Sequence, residues 1–374
     1  MGHVMRCLSV AEAAADIDHG YPPVFITADE GCRAMIEERG FCVIVLGTDY
    51  RDMMSELPQL EALLQSQDVL LVDSYQAGSE YYLALRKRVK VACFEDMGYA
   101  YPVDLLINYN IYAPDLKNHY MHPYEEQNLE SGTKEHYPES VLLGASYMPL
   151  RKAFQEPAGY AVNDKITDII ITTGGSDPCF AMGALADALI GDRILAEQGI
   201  NLHLISGPFN RFADELKRRY QHGSDKEGHD CRTVQPGTGG VTVTIHENVK
   251  DMRSLLLKSD VVITATGSTI YEVSSLGVPM IVFYFAENQR QGAEALEKLT
   301  DIANAGCFSE NPKAVADNVR AALKRCVRER AYRELLHRQE RALIDGKGAR
   351  RVAEQLMRLA AETGKDNMEA TETR

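Results

Sequence analysis

Short apolar runs recur along this chain of 374 residues, most followed by a helical stretch and many ending in polar residues. In the first half they fall at 23–27, 42–46, 69–73, 90–94 and 105–107; in the second at 169–173, 202–206, 241–245, 261–264 and 280–284. A strand covered on both faces reads as a continuous apolar run, not as an alternation. Such strands separated by helices restrict the chain to parallel, doubly wound α/β sheets. The theme occurs twice, so two Rossmann-like domains facing a cleft are expected, over residues 1–150 and 151–310. Residues 112–140 are rich in Tyr, His, Asn and Glu, lack a period and read as a loop; Gly144 to Phe154 reads as a connector. Residues 222–240 are polar and glycine-rich and read as a surface insertion. A charged helical extension is expected over 311–364, and a disordered tail over 365–374.

Composition narrows what such domains can do. Hydrophobic residues make up 45% and charged residues 25%, as in globular proteins. The net charge of −14 argues against binding nucleic acid, which needs a basic face. It leaves room for an anionic small molecule held by backbone N–H groups and helix N-termini. The eight cysteines have no CxxC spacing, which speaks against zinc, and Cys42 and Cys93 lie in apolar runs that read as buried free thiols. No signal peptide or long apolar run is present, so a cytoplasmic protein without a membrane span is expected. The oligomeric state is left open.

In doubly wound sheets ligands bind beyond the carboxyl ends of the strands. Here those ends carry Asp73-Ser74-Tyr75, Glu95-Asp96, Asn108-Tyr109-Asn110, Gly174-Gly175-Ser176-Asp177 and Thr266-Gly267-Ser268. The run 261–264 enters a turn of small residues and then a helix from Ser268 or Thr269. Such a turn brings backbone N–H groups and the positive helix end close to a diphosphate. Glu272, one turn in, can reach a ribose diol; read alone, it is equally a carboxylate complementing the helix dipole. Gly174 and Gly175 form a second tight turn, and Asn288-Gln289 offer amides past the run at 280–284. The remaining element is Gly2-His3, with Arg6 one helical turn on, in a stretch that places Val4, Leu8, Ala11 and Ala15 on one face. Histidine can act as a general base, and Arg6 can orient a carboxylate or phosphate. Asp73 could polarise His3 or bind sugar hydroxyls. In isolation His3 would be a solvated residue and Asp73 a strand-end cap.

Taken together these residues resemble the PseG/SpsG family of nucleotide-sugar hydrolases, which have the GT-B fold and are related to the MurG type of glycosyltransferase. Gly2, His3 and Arg6 match its Gly-His-x-x-Arg; Asp73 and Tyr75 its Asp-x-Tyr; Asn108 and Asn110 its Asn-x-Asn. Arg151 falls in its connector, Gly174 to Asp177 in its glycine turn, Thr266 to Glu272 in its uridine-diphosphate helix, and Asn288-Gln289 in its Asn-Gln. The resemblance implies release of UDP from a UDP-diacetamido-trideoxy-hexose, on the way to pseudaminic acid or a related nonulosonate polysaccharide. His3, with Asp73 and Tyr75, would activate water for attack at the anomeric carbon; the other matched residues would bind substrate. No cofactor and no metal are implied. A GT-B glycosyltransferase, or a non-catalytic nucleotide-sugar-binding protein, is the alternative. The first half shows no apolar or basic docking patch in its sequence, which favours water as the acceptor. The family's leading strand and most of its glycine loop are missing ahead of Met1. That strand would lie centrally, between the runs at 23–27 and 69–73, so the natural protein is expected to start upstream.

Overall fold

A computed structural model describes residues 2–20, 23–122, 138–156, 159–220, 231–234 and 240–372. Much of the expected loop at 112–140 and of the insertion at 222–240 lies outside these residues. The chain forms two units, Met1–Gln155 with Gly346–Arg374, and Glu156–Asp345.

The first unit has six strands: β1 (Val24–Thr27), β2 (Cys42–Val45), β3 (Val69–Val72), β4 (Lys90–Phe94), β5 (Leu105–Asn108) and β6 (Ser140–Leu143). All pairings are parallel, in two separate sheets ordered β1-β2 and β3-β4-β5-β6. β1 and β3 do not pair. Side chains alternate across the larger sheet. Val91, Cys93 and Leu106 enter one core with Leu57, Leu60 and Tyr82. Ala92, Phe94, Leu105 and Ile107 enter another, with Val10 and Ala13 of the first helix, Gly2–Ile17. Burial on both faces is what the continuous apolar runs require.

The second unit holds one seven-stranded sheet: β7 (Asp168–Thr172), β8 (Asn201–Ser206), β9 (Cys231–Val234), β10 (Val241–Glu247), β11 (Val261–Ala265), β12 (Met280–Tyr284) and β13 (Ala303–Cys307). The order is β13-β12-β11-β7-β8-β10-β9, parallel except for β9 against β10. The chain winds outward from β7 to β8 and β10, then returns to β11 on the other side. The switch point therefore lies between β7 and β11.

Several expectations are revised. Ser140–Leu143, whose first residue fell at the end of the expected loop, and Ala303–Cys307 are strands that the sequence reading did not place. The last helix, Gly348–Glu372, runs through most of the residues expected as a disordered tail. Its Ala349, Val352 and Ala353 pack into the first unit's core, so the C-terminal stretch returns to the N-terminal unit. The physical cause is the apolar face of the sheet and first helix, which needs this cover. Cys7, Cys32, Cys42, Cys93, Cys179, Cys307 and Cys326 are free; Cys93 is buried as expected, whereas Cys42 is exposed because β2 is an edge strand.

Candidate active site

The first helix begins at Gly2, which places His3 and Arg6 on its first turns. Its buried side includes Arg6 as well as Leu8, Val10, Ala11 and Ala13. Arg6 thus points a guanidinium into the carboxyl ends of β3, β4 and β5. Its Nε donates to Asp73 Oδ2 and its Nη2 to Asp73 Oδ1, both at 2.5 Å, a two-pronged pairing. Its Nη1 donates to Asp96 Oδ2 (3.0 Å) and to the Tyr109 hydroxyl (2.7 Å). The guanidinium also lies over the Phe94 ring, 4.9 Å from its centre. Burial alone would discharge Arg6, but the hydrogen bond to Asp73 and the charges around it outweigh that and hold the proton more firmly than usual.

His3 Nδ1 lies 2.5 Å from Asp73 Oδ1. Burial would push the Asp73 carboxyl up, but hydrogen bonds from Arg6 and then His3 hold it below the ordinary carboxylate range. An ionised Asp73 can only accept, so Nδ1 carries the proton and Nε2 presents a lone pair. Arg6 Nη2, 3.2 Å from the same Nδ1, then adds a nearby charge and not a hydrogen bond. The His3 side chain is 34% exposed, and Nε2 has no hydrogen-bond partner among the described residues. An imidazole held in this way can take up a proton at Nε2.

Tyr75 packs edge-on against the His3 ring at 4.6 Å and donates to Asp96 Oδ2 at 3.2 Å. Burial, and next the Asp96 charge, push its phenol up to about 12, so Tyr75 serves as a hydrogen-bond donor and a wall, not as a base. Asn108 is buried: its amide donates to Tyr120 (2.8 Å) and its oxygen accepts from the Asn110 N–H and side chain, both at 3.0 Å. Tyr120 in turn donates to the buried Glu95. These asparagines brace the ends of β4 and β5. Arg151 sets its guanidinium over the Phe154 ring, 5.2 Å from its centre. A cavity of about 530 Å³ opens at the ends of β1 and β2, lined by Ala28, Asp29, Gly47 and Thr48, and contains none of the expected residues.

In the second unit the expected residues collect at the switch point. Gly174 follows β7 with φ +79, a conformation that suits glycine, and its N–H donates to Thr172 Oγ1 (3.2 Å). Beside it, β11 leads into Thr266-Gly267-Ser268, and Ser268, the N-cap of the helix Thr269–Leu276, makes no side-chain capping bond. A Cβ on Gly174 would lie 3.9 Å from Thr269 Oγ1, so turn and helix start are neighbours. Ser176 and Gly267 are exposed, and Glu272 lies in the helix's first turn. Thr266 donates to the Gln289 carbonyl (3.2 Å), which draws the Asn288-Gln289 segment to the same crest. Asp177 is buried and accepts from the N–H groups of Ala181 (2.8 Å) and Met182 (3.0 Å); it caps the next helix and shapes the turn from below. Among the described residues, no group of three or more His, Cys, Asp or Glu is placed to hold a metal, and no helix is long and apolar enough to cross a membrane.

Residues 169–356 match the glycosyltransferase family 28 C-terminal domain. The chain belongs to this family. It is 27% identical over 304 residues to an uncharacterized protein of Methanocaldococcus jannaschii, covering 78% of this chain and 54% of that one, so it spans about half of that relative's length. It is 25% identical over 370 residues to the spore coat polysaccharide biosynthesis protein SpsG of Bacillus subtilis, covering 94% and 92% of the two chains. In structure it is similar to MurG of Acinetobacter baumannii, with TM-score 0.60, 12% identity and 96% of each chain covered. The fold is GT-B, with a parallel sheet in each unit.

Within this family 28 chain the sequence reading did not single out three members of the Arg6 cluster. Asp96 and Tyr109 stand inside motifs that it marked, but only the parallel order β3-β4-β5 brings them to Arg6. Cys7, whose thiol lies 3.6 Å from Asp73 Oδ2, carries no signal in the sequence; burial pushes that thiol well up, and it stays protonated.

Proposed function

We propose that the chain is a nucleotide-sugar hydrolase that releases UDP from a UDP-sugar of the diacetamido-trideoxy-hexose class. The observation that carries this reading is the His3–Asp73 pair, buttressed by Arg6, which leaves Nε2 without a hydrogen-bond partner among the described residues. In the proposed step Nε2 takes a proton from water while the water oxygen bonds to the anomeric carbon. The bond from that carbon to the diphosphate oxygen breaks, and UDP leaves with the electron pair. Asp73 stabilises the imidazolium that forms. The diphosphate belongs at the uncapped start of the helix Thr269–Leu276 and the Gly174-Gly175 turn, whose N–H groups meet its charge without a metal. The similarity to SpsG supports a place in polysaccharide biosynthesis.

One observation favours a second reading. Tyr75, Met97 and Tyr99 are 55%, 62% and 56% exposed on the loops after β3 and β4. Tyr75 lies against His3, and an acceptor could rest on these side chains in a glycosyltransferase. The full chain, incubated with candidate UDP-sugars and no acceptor, is expected to release UDP. His3→Ala is expected to lower kcat roughly 100-fold or more with little change in KM. Release that needs an added acceptor would replace the hydrolase by the transferase. Unchanged turnover in His3→Ala would remove His3 from the mechanism.

A further inference from the structure

Phe209 is 67% exposed, yet its backbone is tied to the neighbouring loop by hydrogen bonds. Its N–H donates to the Gly175 carbonyl at 2.9 Å, and Asn210 N–H donates to the Gly207 carbonyl at 3.1 Å. The buried Asn210 side chain donates to Ser206 Oγ (3.0 Å) and accepts from Phe212 N–H (2.9 Å). Arg211 reaches the Pro178 carbonyl, which ties the loop after β8 to the loop after β7. Single exposed apolar residues are ordinary on flexible surfaces. A ring carried on a backbone fixed in this way is presented at a set place for a flat partner.

Its position says which partner. A Cβ on Gly175 would lie 3.8 Å from the Phe209 ring, and one on Gly174 would lie 3.9 Å from Thr269. Phe209, the glycine turn and the helix start therefore form one continuous strip over β8, β7 and β11, which are adjacent in the sheet. Two strand spacings separate its ends, about 10 Å. A nucleoside diphosphate with its phosphates at the helix start spans this distance, passing its ribose over glycines that offer no side-chain obstacle. We infer that Phe209 is the stacking platform for the nucleobase, and so a determinant of nucleotide over bare diphosphate binding. The inference rests on the nucleotide-binding reading above and goes beyond it by adding a residue and a contact.

The test compares UDP with pyrophosphate as titrants of the full chain. Phe209→Ala is expected to weaken UDP roughly tenfold or more, with pyrophosphate unchanged, and Phe209→Tyr to restore UDP binding. An exposed side chain leaves the melting temperature as a control for folding, expected unchanged. The chain contains no tryptophan, so Phe209→Trp supplies a single fluorophore at the platform. Its emission is expected to respond to UDP and not to pyrophosphate. UDP affinity within twofold of wild type in Phe209→Ala, or an equal loss for both titrants, overturns the platform while leaving the nucleotide site in place. Failure of the wild type itself to bind UDP overturns the site and the platform together.

Discussion

Two buried charged residues show how this molecule handles charge away from water. Arg6 keeps its charge because Asp73, Asp96 and Tyr109 surround it with acceptors. Glu340, on the helix Arg330–Leu343, has only the Met280 N–H at 3.1 Å, and its second oxygen has no hydrogen-bond partner. Burial pushes the Glu340 carboxyl well above its ordinary value of 4.5, against that one bond. The group is therefore neutral when folded at a pH where the unfolded chain ionises it. Its contribution to stability is fully present below 4.5 and is lost as pH rises toward the folded value. Glu340→Gln keeps the shape and cannot ionise. In denaturant melts the variant is expected to match wild type near pH 4.5 and to exceed it by roughly 1–3 kcal/mol near pH 8. Equal stability at both pH values would show that Glu340 finds a counter-charge.

At the scale of elements, the crest of the second unit depends on close backbone approach. A Cβ on Gly207 would lie 2.2 Å from the Gly174 carbonyl oxygen and 2.6 Å from that of Gly175, and backbone cannot yield as a side chain can. Gly207→Ala is expected to push the turn after β7 out of place and to cost roughly 1–3 kcal/mol in stability. Gly292→Ala meets nothing within 4 Å in the helix Glu287–Leu299 and is expected to gain about 0.5–1 kcal/mol instead. A Gly207→Ala melt equal to wild type would mean that the two turns separate freely. The turn after β7 was legible in the sequence because Gly174 and Gly175 follow an apolar run, and β12 was read at its observed limits, Met280–Tyr284. β13 was not. Ala303-Asn304-Ala305-Gly306-Cys307 has no branched apolar residue and includes Gly306 at φ +102; pairing with β12, not local preference, makes it a strand. The Arg6 cluster was legible only in part: His3, Arg6, Asp73 and Tyr75 sit in marked motifs, but a helical pattern read for apolar faces does not show that Arg6 is buried against Asp96 and Tyr109.

At the scale of the whole molecule, the two ends of the chain meet in one core. Ala349, Val352 and Ala353 of the last helix pack with Val10 and Ala13 of the first, over Ala92, Phe94 and Ile107. Local sequence could not announce this, because small residues on a charged helix suit a solvent-facing extension as well as a close packing seam. The consequence reaches the site: the helix seated by Val352 is the one whose first turns carry His3 and Arg6. Burying a carboxylate in this apolar seam would unseat that helix, since no partner is there to meet the charge. Val352→Asp is expected to cost roughly 3 kcal/mol or more. Amide exchange is expected to quicken in the first helix, β4 and β5, while β7 and β11 stay protected. Any turnover that depends on His3 should fall with it. Arg358→Gln, on an exposed position of the same helix, is expected to stay within about 0.5 kcal/mol of wild type. If Val352→Asp quickened exchange equally in both units, the last helix would be supporting the molecule at large; confinement to the first unit would identify it as the seat of the His3–Asp73 pair.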